Sequence, residues 1–398
     1  MSTAVAADIT PATWRDPKRY AWLLGLLVPM LPFMAWGLVE LTGLGAFWFW
    51  GVFFLYVLMP VMDTVIGKDS SNPPDSVVQW LEQDRYYRWC TYAFLPLQYL
   101  ALVAGAWLLG GDALSAVDKL GLALTLGVVN GVGINTAHEL GHKRASTERW
   151  LSKVALAPTG YGHFFIEHNR GHHVRVATPE DPASSRLGES FYAFLPRTVA
   201  GSLRSAWELE AERLGRSGRS PWTVRNDVLN AWAMTLVLFG ALAAAFGPAV
   251  LPWLVVQAVF GFALLEVVNY LEHYGLLRER RADGSGRYER TQPRHSWNSD
   301  NVSSNVLLYH LQRHSDHHAH PMRRFQALRH FDEAPELPSG YGTMIVLAMV
   351  PPLWRRVMDP RVLAHYDGDV TRANIHPPAR ERVLRRHGRA DEQEAVLA

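Results

Sequence analysis

The sequence predicts an all-α integral membrane protein, six transmembrane helices carrying a cytoplasmic histidine-rich cap. Three observations carry this. Apolar residues fill 20–66, 90–137 and 228–272, while charge is concentrated in 67–89, 138–227 and 273–398. Lysine and arginine fall almost entirely on one side of the resulting topology. Histidines gather in clusters at the ends of the predicted helices. The 48% hydrophobic content is that of an ordinary soluble chain, so the distribution decides the class and not the average.

A bilayer core needs about 20 apolar residues per helix. Six segments meet this: Tyr20–Val39, Gly45–Met62, Cys90–Leu109, Leu120–Ala137, Val228–Phe246 and Ala249–Leu271. They pair as three hairpins through connections at 40–44, 110–119 and 247–248. Pro29, Pro32 and Pro252 sit in or near them, which membrane helices tolerate. The first segment is too long, and its flanks too weakly basic, for a cleaved signal peptide.

The polar portions 67–89, 143–227 and 273–398 complete a single domain over 1–398. After a Ser-Ser-Asn-Pro-Pro turn at 70–74, Ser76–Arg88 reads as a short helix. Ser202–Leu214 reads as a surface amphipathic helix ended by the turn at 216–221. Residues 276–300 read as irregular or as a small hairpin. The apolar run Met344–Val350 is too short to span and is expected as core or interface. Beyond about Pro377 the charged tail is expected to be solvated.

Basic residues orient the spans. The three tight connections hold one, Lys119, leaving the other 38 of 39 on the opposite face or at the N-terminus. Both termini and the polar regions are therefore expected in the cytoplasm. Helices four and six then end on that same face, bringing His138, His142 and His273 beside the other histidine clusters.

Those clusters read His138-Glu-Leu-Gly-His142, His168-Asn-Arg-Gly-His172-His173 and His314-Ser-Asp-His317-His318, with His273 alone in Asn269-Tyr-Leu-Glu-His-Tyr-Gly275. Neutral imidazole is a common ligand for iron, zinc and copper. Nine imidazoles exceed what one ion takes, so the count points to two metals. His138 and His142 share a helix face, with Asn135 on it. His168 and His172 have the same spacing, but His173 points about 100° from His172 on an α-helix, so a single metal does not easily collect all three. His314, His317 and His318 fan over a similar arc and can serve either ion.

His273 is weaker locally, since a lone histidine at a helix end is more often structural. Glu266 and Asn269 on its face raise it, because an acid inside a span is a functional-site candidate. Two metals held by neutral rings also need carboxylates to orient those rings through their second nitrogens. Glu139, Glu167, Glu272 and Asp316 adjoin proposed ligands and are the candidates. His163, His295, His310 and His320 fit no shared spacing and are expected to be structural. His330, His365, His376 and His387 are expected at the surface.

Other chemistries fit less of the chain. His138-Glu139-Leu-Gly-His142 matches the zinc-protease signature, with Glu139 as base, but leaves seven clustered histidines idle. A metal transporter would place its ligands at mid-membrane along a path. The net charge of +2 and the lack of an aromatic-basic strip give no support for nucleic acid. One cysteine, Cys90, excludes a disulfide, an iron–sulfur cluster or a fused rubredoxin centre within this chain. Gly131-Val-Gly133 lacks a third glycine and lies in a membrane segment, so it is no dinucleotide fingerprint.

The strings Asn135-Thr-Ala-His-Glu-Leu-Gly-His-Lys143, Gly160-Tyr-Gly-His-Phe-Phe-Ile-Glu-His-Asn-Arg-Gly-His-His173, Asn269–Gly275 and Leu311-Gln-Arg-His-Ser-Asp-His-His318 resemble the bacterial alkane 1-monooxygenase family of histidine-box membrane enzymes. The resemblance runs from about residue 45 to 370 and includes Asn72-Pro-Pro74 and His295-Ser-Trp-Asn298. It implies O2-dependent terminal hydroxylation of n-alkanes at a non-haem di-iron centre, in the bacterial inner membrane. Two iron ions would be held by His138, His142, His168, His172, His173, His273, His314, His317 and His318, their division left open. The resemblance also implies electrons from a separate rubredoxin served by an NAD(P)H-dependent reductase. An acidic donor is expected to dock near Arg355, Arg356 and Arg380–Arg386. Alkane is expected to enter from lipid along a tunnel whose depth Leu55 limits. A fatty-acyl desaturase or hydroxylase of the same superfamily is the alternative.

Overall fold

Ala21–Thr42, Gly45–Ile66, Arg85–Gly110, Ala116–Gly141, Asp227–Phe246 and Pro248–His273 are helices long and apolar enough to cross a membrane. They belong to a computed structural model that describes residue 10 and residues 13–388. The described residues contain no extended sheet, only isolated bridges. The fold is an all-helical, multi-pass membrane protein as expected. The chain termini, and the orientation expected of them, lie outside the described residues.

The fourth span is the axis of the bundle: 89% of its apolar window is buried, against 17% for the fifth, which is left to face lipid. Its close partner is the sixth span. A Cβ on Gly131 would meet Gly261 O at 3.0 Å, and one on Gly127 would meet Gln257 O at 3.0 Å, so the two backbones touch along a stripe of small residues. Of the Gly131-Val-Gly133 string, Gly131 makes this contact, while Gly133 leaves room for the Gln98 side chain of the third span. Polar side chains tie the same bundle together inside the membrane. Gln98 Nε2 donates to Asn130 Oδ1 at 3.0 Å, Asn130 Nδ2 to Gln257 Oε1 at 2.7 Å, and Gln257 Nε2 to Pro158 O at 2.6 Å. In an apolar medium none of these groups has water to fall back on.

The second span is not uniformly α-helical. Pro60 has no N–H for the carbonyl four residues earlier, and the turn just before it, Phe54–Leu58, is π-helical. Leu55 lies in that widened turn and is buried.

Several expected boundaries differ. The helix expected over Ser76–Arg88 is Asp75–Gln83, and the chain breaks at Asp84, whose carboxylate accepts from Tyr86 N at 2.9 Å and caps the third span. That span therefore starts at Arg85, not Cys90. Ser202–Leu214 is the second half of a longer helix, Phe191–Gly215, and is an amphipathic surface helix as expected, with Arg204, Glu208 and Glu212 exposed on its outer face. Its Ser202, Ser205, Ala206 and Glu210 are buried. Glu210 accepts from Arg170, Arg213 and Asp227 N, which anchors this helix to the start of the fifth span.

The apolar run near 344 forms the helix Tyr341–Ala348, with Tyr341, Met344, Ile345 and Ala348 in the core. Arg280 bridges Tyr288 across a small hairpin. The tail beyond Pro377 is not all solvated: Arg380–His387 is a helix that buries Val383 and Leu384, and residues 389–398 lie outside the described residues. His330, His365, His376 and His387, expected at the surface, are half-buried. His330 Nδ1 lies 2.6 Å from Asp300, His365 packs on Trp297 and Tyr366, and His376 and His387 face Glu189 and Asp359.

Candidate metal centre

Each histidine is placed by the end of a helix or by a short helix of the cap. The fourth span delivers His138 and His142, the sixth delivers His273, and the helix His314–Ala319 delivers the last three. His168, His172 and His173 follow Phe164–Glu167 on a π-helical turn, His168–His172. In such a turn the register is i to i+5. His168 and His173 therefore come together, and His172 turns away from both. The sequence left the division of the histidines open; the five-residue step of this turn separates His172 from His168 and His173.

Two groups result. His138, His142, His168, His173 and His317 form one; His172, His273, His314 and His318 form the other, with ligand atoms within 4.8 Å of one another in each. The atoms that meet are Nε2 throughout. His138 and His317 approach to 2.8 Å, His173 lies 3.0 Å from both His168 and His317, and His314 lies 3.2 Å from His273 and 2.9 Å from His318. His142 Nε2 and His172 Nε2 are buried with no hydrogen-bond partner.

Burial first, then the neighbouring imidazoles, pushes His142, His168, His173, His314, His317 and His318 well below the ordinary histidine pKa. Neutral rings whose acceptor nitrogens face each other cannot satisfy one another by hydrogen bonding alone. They are the donor set that a pair of divalent cations satisfies.

The four carboxylates named from sequence sit around this centre in different ways. Glu139 pairs with Lys143 Nζ at 3.0 Å and faces Phe325 N, which leaves it engaged and not free as a protease base. Glu167 is bound by Arg175 at 2.7 Å. Asp316 receives Arg323, His320 Nδ1 and Arg329 N. Glu272 reaches His314 Nε2 at 3.2 Å and accepts from Tyr341 Oη at 2.6 Å.

The carboxylate that does bond a second ring nitrogen went unnoticed in the sequence. Asp181 Oδ2 lies 2.9 Å from His172 Nδ1 and also accepts from Ser184 Oγ at 2.6 Å. Burial alone would raise this acid, but His172 and Ser184 outweigh it and hold it at about 2. Its only sequence signal is an acid between two prolines in Pro179-Glu-Asp-Pro182, which reads as a turn. Of the remaining histidines, His163 is buried against the Tyr161 ring, His295 meets Glu289, and His310 Nδ1 meets Phe325 O at 2.9 Å. None of them joins either group.

Beside the centre lies a narrow apolar cavity of about 40 Å³. Val28, Leu55, Met59, Val132, Val268 and Ile345 are among its walls, and Asn135 and Leu311 line it one turn before His138 and His314. Asn135 is the one polar side chain of the lining, and its Nδ2 is spent on Leu308 O at 2.7 Å. Leu55 thus faces a cavity between helices and not lipid.

Residues 119–348 match the fatty acid desaturase family. The alkane 1-monooxygenase of Acinetobacter baylyi is 50% identical over 387 residues, covering 94% of this chain and 92% of that protein. Alkane 1-monooxygenase 1 of Alcanivorax borkumensis is 50% identical over 92% of this chain and 90% of its own. The alkane 1-monooxygenase of Pseudomonas putida is 47% identical over 93% and 92%. The chain belongs to the alkane 1-monooxygenase family. Alkane 1-monooxygenases are oxidoreductases that incorporate oxygen, and in this member of the family the apolar cavity and the two histidine groups occupy adjoining levels of one bundle. The zinc-protease and transporter readings of the histidines fall away with that membership.

Proposed function

We propose that the chain hydroxylates the terminal carbon of n-alkanes with O2, yielding a 1-alkanol and water, at two iron ions held by the nine histidines. The observation that carries this is the pair of convergent Nε2 groups beside an otherwise apolar cavity. His138, His142, His168, His173 and His317 would hold one ion, and His172, His273, His314 and His318 the other. Iron in such sites supplies the activation of O2 that attack on an unactivated methyl C–H bond requires.

The residues do the rest. Val28, Leu55, Met59, Val132 and Val268 bind the chain by excluding water, and no polar group competes for an interior methylene. The cavity runs about 10 Å along the fourth span from Val128 to Asn135, so the chain end is directed toward His138. Asp181 fixes the His172 ring through Nδ1. Lys143 neutralises Glu139 beside His138, and Arg175 neutralises Glu167 beside His168. Negative charge next to the rings is thereby balanced without water.

Two electrons and two protons per turnover come from elsewhere. A separate rubredoxin, reduced by an NAD(P)H-dependent reductase, is the donor we propose, with the histidine cap on the cytoplasmic face of the bacterial inner membrane. Arg356, Arg380, Arg382, Arg385 and Arg386 are exposed on the cap and suit an acidic partner. Charge reversal at Arg356 and Arg386 should raise the rubredoxin concentration needed for half-maximal turnover several-fold, and unchanged dependence would remove this docking face. Omitting rubredoxin from reconstituted protein, reductase, NADH and n-alkane should abolish alkane-dependent NADH oxidation. Turnover on fatty-acyl substrates in place of alkanes would favour the desaturase or acyl-hydroxylase alternative.

A further inference from the structure

Asn135 interrupts an otherwise apolar wall. Val28, Leu55, Met59, Val132, Val268 and Ile345 offer the cavity only carbon, and Asn135 is set among them at 6% exposure. Its Nδ2 donates to Leu308 O at 2.7 Å. A carbonyl can only accept, so the amide nitrogen faces Leu308 and the amide oxygen is fixed on the other side. Among the described residues nothing donates to Asn135 Oδ1, and that oxygen is not one of the polar atoms sealed inside the protein. The cavity is the space left open to it.

Packing does not call for an amide here. Leu308 O already accepts from Leu311 N at 3.1 Å, so it is not an orphan that Asn135 rescues. An aliphatic residue, as at Val128 and Val132 on the same wall, would bury apolar surface with no polar atom to satisfy. An open acceptor in a medium without water is costly until a donor arrives. Alkanes carry no donor. A primary alcohol carries one, the hydroxyl hydrogen, at the carbon that the reaction alters. Asn135 lies one turn before His138 on the same face of the fourth span, which puts the acceptor at the metal end of the cavity.

Building on the terminal-hydroxylation reading, we propose that Asn135 Oδ1 accepts the hydroxyl hydrogen of the newly formed 1-alkanol, and so makes the cavity bind product more tightly than the alkane it came from. The alcohol's first carbon is held at the end of the cavity nearest His138, and its tail lies against Leu55 and Val28. Product release then requires this bond to break, so Asn135 sets how strongly 1-alkanol inhibits the enzyme. The same acceptor separates the alcohol from a methyl ether of equal length, which has the oxygen but no hydrogen to give.

The test is equilibrium dialysis of the full-length, iron-loaded protein in lipid nanodiscs against empty nanodiscs, without O2 or reductant so that nothing reacts. The probes are radiolabelled n-alkane, 1-alkanol and 1-methoxyalkane of one chain length. Wild type should hold the alcohol about tenfold more tightly than either of the others. Asn135→Leu should lose that preference and keep its affinity for the alkane within about twofold. A loss shared equally by all three probes would make Asn135 a strut of the cavity, and an alcohol preference that survives the substitution would place the acceptor elsewhere; either result overturns the proposal. Should Asn135→Leu not fold, Asn135→Ala takes its place, and equal binding of alcohol and ether by wild type overturns the proposal without any variant. Wild type that forms no 1-alkanol from n-alkane with rubredoxin, reductase and NADH removes the hydroxylation reading, and the proposal with it. Formation of 1-alkanol with no preference for binding it removes the proposal alone.

Discussion

His168 Nε2 and His173 Nε2, five positions apart in the chain, lie 3.0 Å from each other. A π-helical turn is what makes a five-residue step into a contact, and it sends His172 to the other histidine group. One short string of residues thus serves both candidate metals. The helix-borne pair His314 and His318, four apart, follows ordinary α-helical spacing and stays in one group.

That division has a direct consequence for single variants. His172→Ala and His273→Ala should each deplete the same iron, and His173→Ala should deplete the other. Activity should fall at least a hundredfold in all three, checked by iron analysis with spectroscopy of the remaining site. Full iron and activity in His273→Ala would take it out of the ligand set.

Gly171 lies in the π turn, and a Cβ there would come within 2.5 Å of the Glu167 carboxylate. Glu167 is buried and held by Arg175, so it cannot simply swing away. Gly171→Ala should therefore cost about 1–3 kcal/mol, seen as a lowered melting temperature. It should also loosen iron in both groups, because the same turn positions a ligand for each. An unchanged melt with full iron would show that the turn is more tolerant than its packing implies.

Leu55 is 2% exposed and lines the cavity. Leu55→Trp adds an indole where there is little free space, so the longest accepted n-alkanes should lose at least tenfold in kcat/KM while shorter ones keep it. Product profiles across a series of chain lengths report this. An unaltered profile would place the depth limit elsewhere.

A pH effect is expected away from the centre. Burial raises the Asp359 carboxyl to about 6 from an ordinary 3.8, against the opposing pull of Tyr274 Oη at 2.9 Å and of Arg355. A folded-state pKa above the unfolded one means that ionisation costs stability, up to about 3 kcal/mol above pH 6 and fading to nothing below about pH 4. Asp359→Asn keeps an acceptor for Tyr274 and removes the ionisation. It should melt higher than wild type at pH 8, with the gap about halved near pH 5 and closed below about pH 4. A gap that is constant with pH would contradict the assignment.

Much of this was legible in the sequence because membrane spans and imidazole clusters have strong local signatures. Apolar length alone marks Pro248–His273, and four-residue spacing marks His138 with His142. What was hidden depends on local competition or on long-range contact. The π turn at His168–His172 is invisible to a method that assumes 100° per residue. Asp84 ended a helix expected to run to Arg88 because its side chain satisfies Tyr86 N, a choice made between two nearly equal local states. Asp181 carries no periodic signal, since only the folding of its loop onto the π turn brings it to His172. Leu308 and Leu311 reach the cavity from the cap, some 170 residues from Asn135, and no pattern within either segment announces that meeting.

The most direct test of the central claim is product analysis by gas chromatography and mass spectrometry. Purified protein in lipid would receive rubredoxin, its reductase, NADH, isotopically heavy dioxygen and a mixture of n-alkanes and fatty-acyl substrates. The account predicts 1-alkanols carrying one heavy oxygen atom, absent without iron or without O2. Unlabelled alcohol, or desaturated and hydroxylated acyl products with the alkanes untouched, would contradict it.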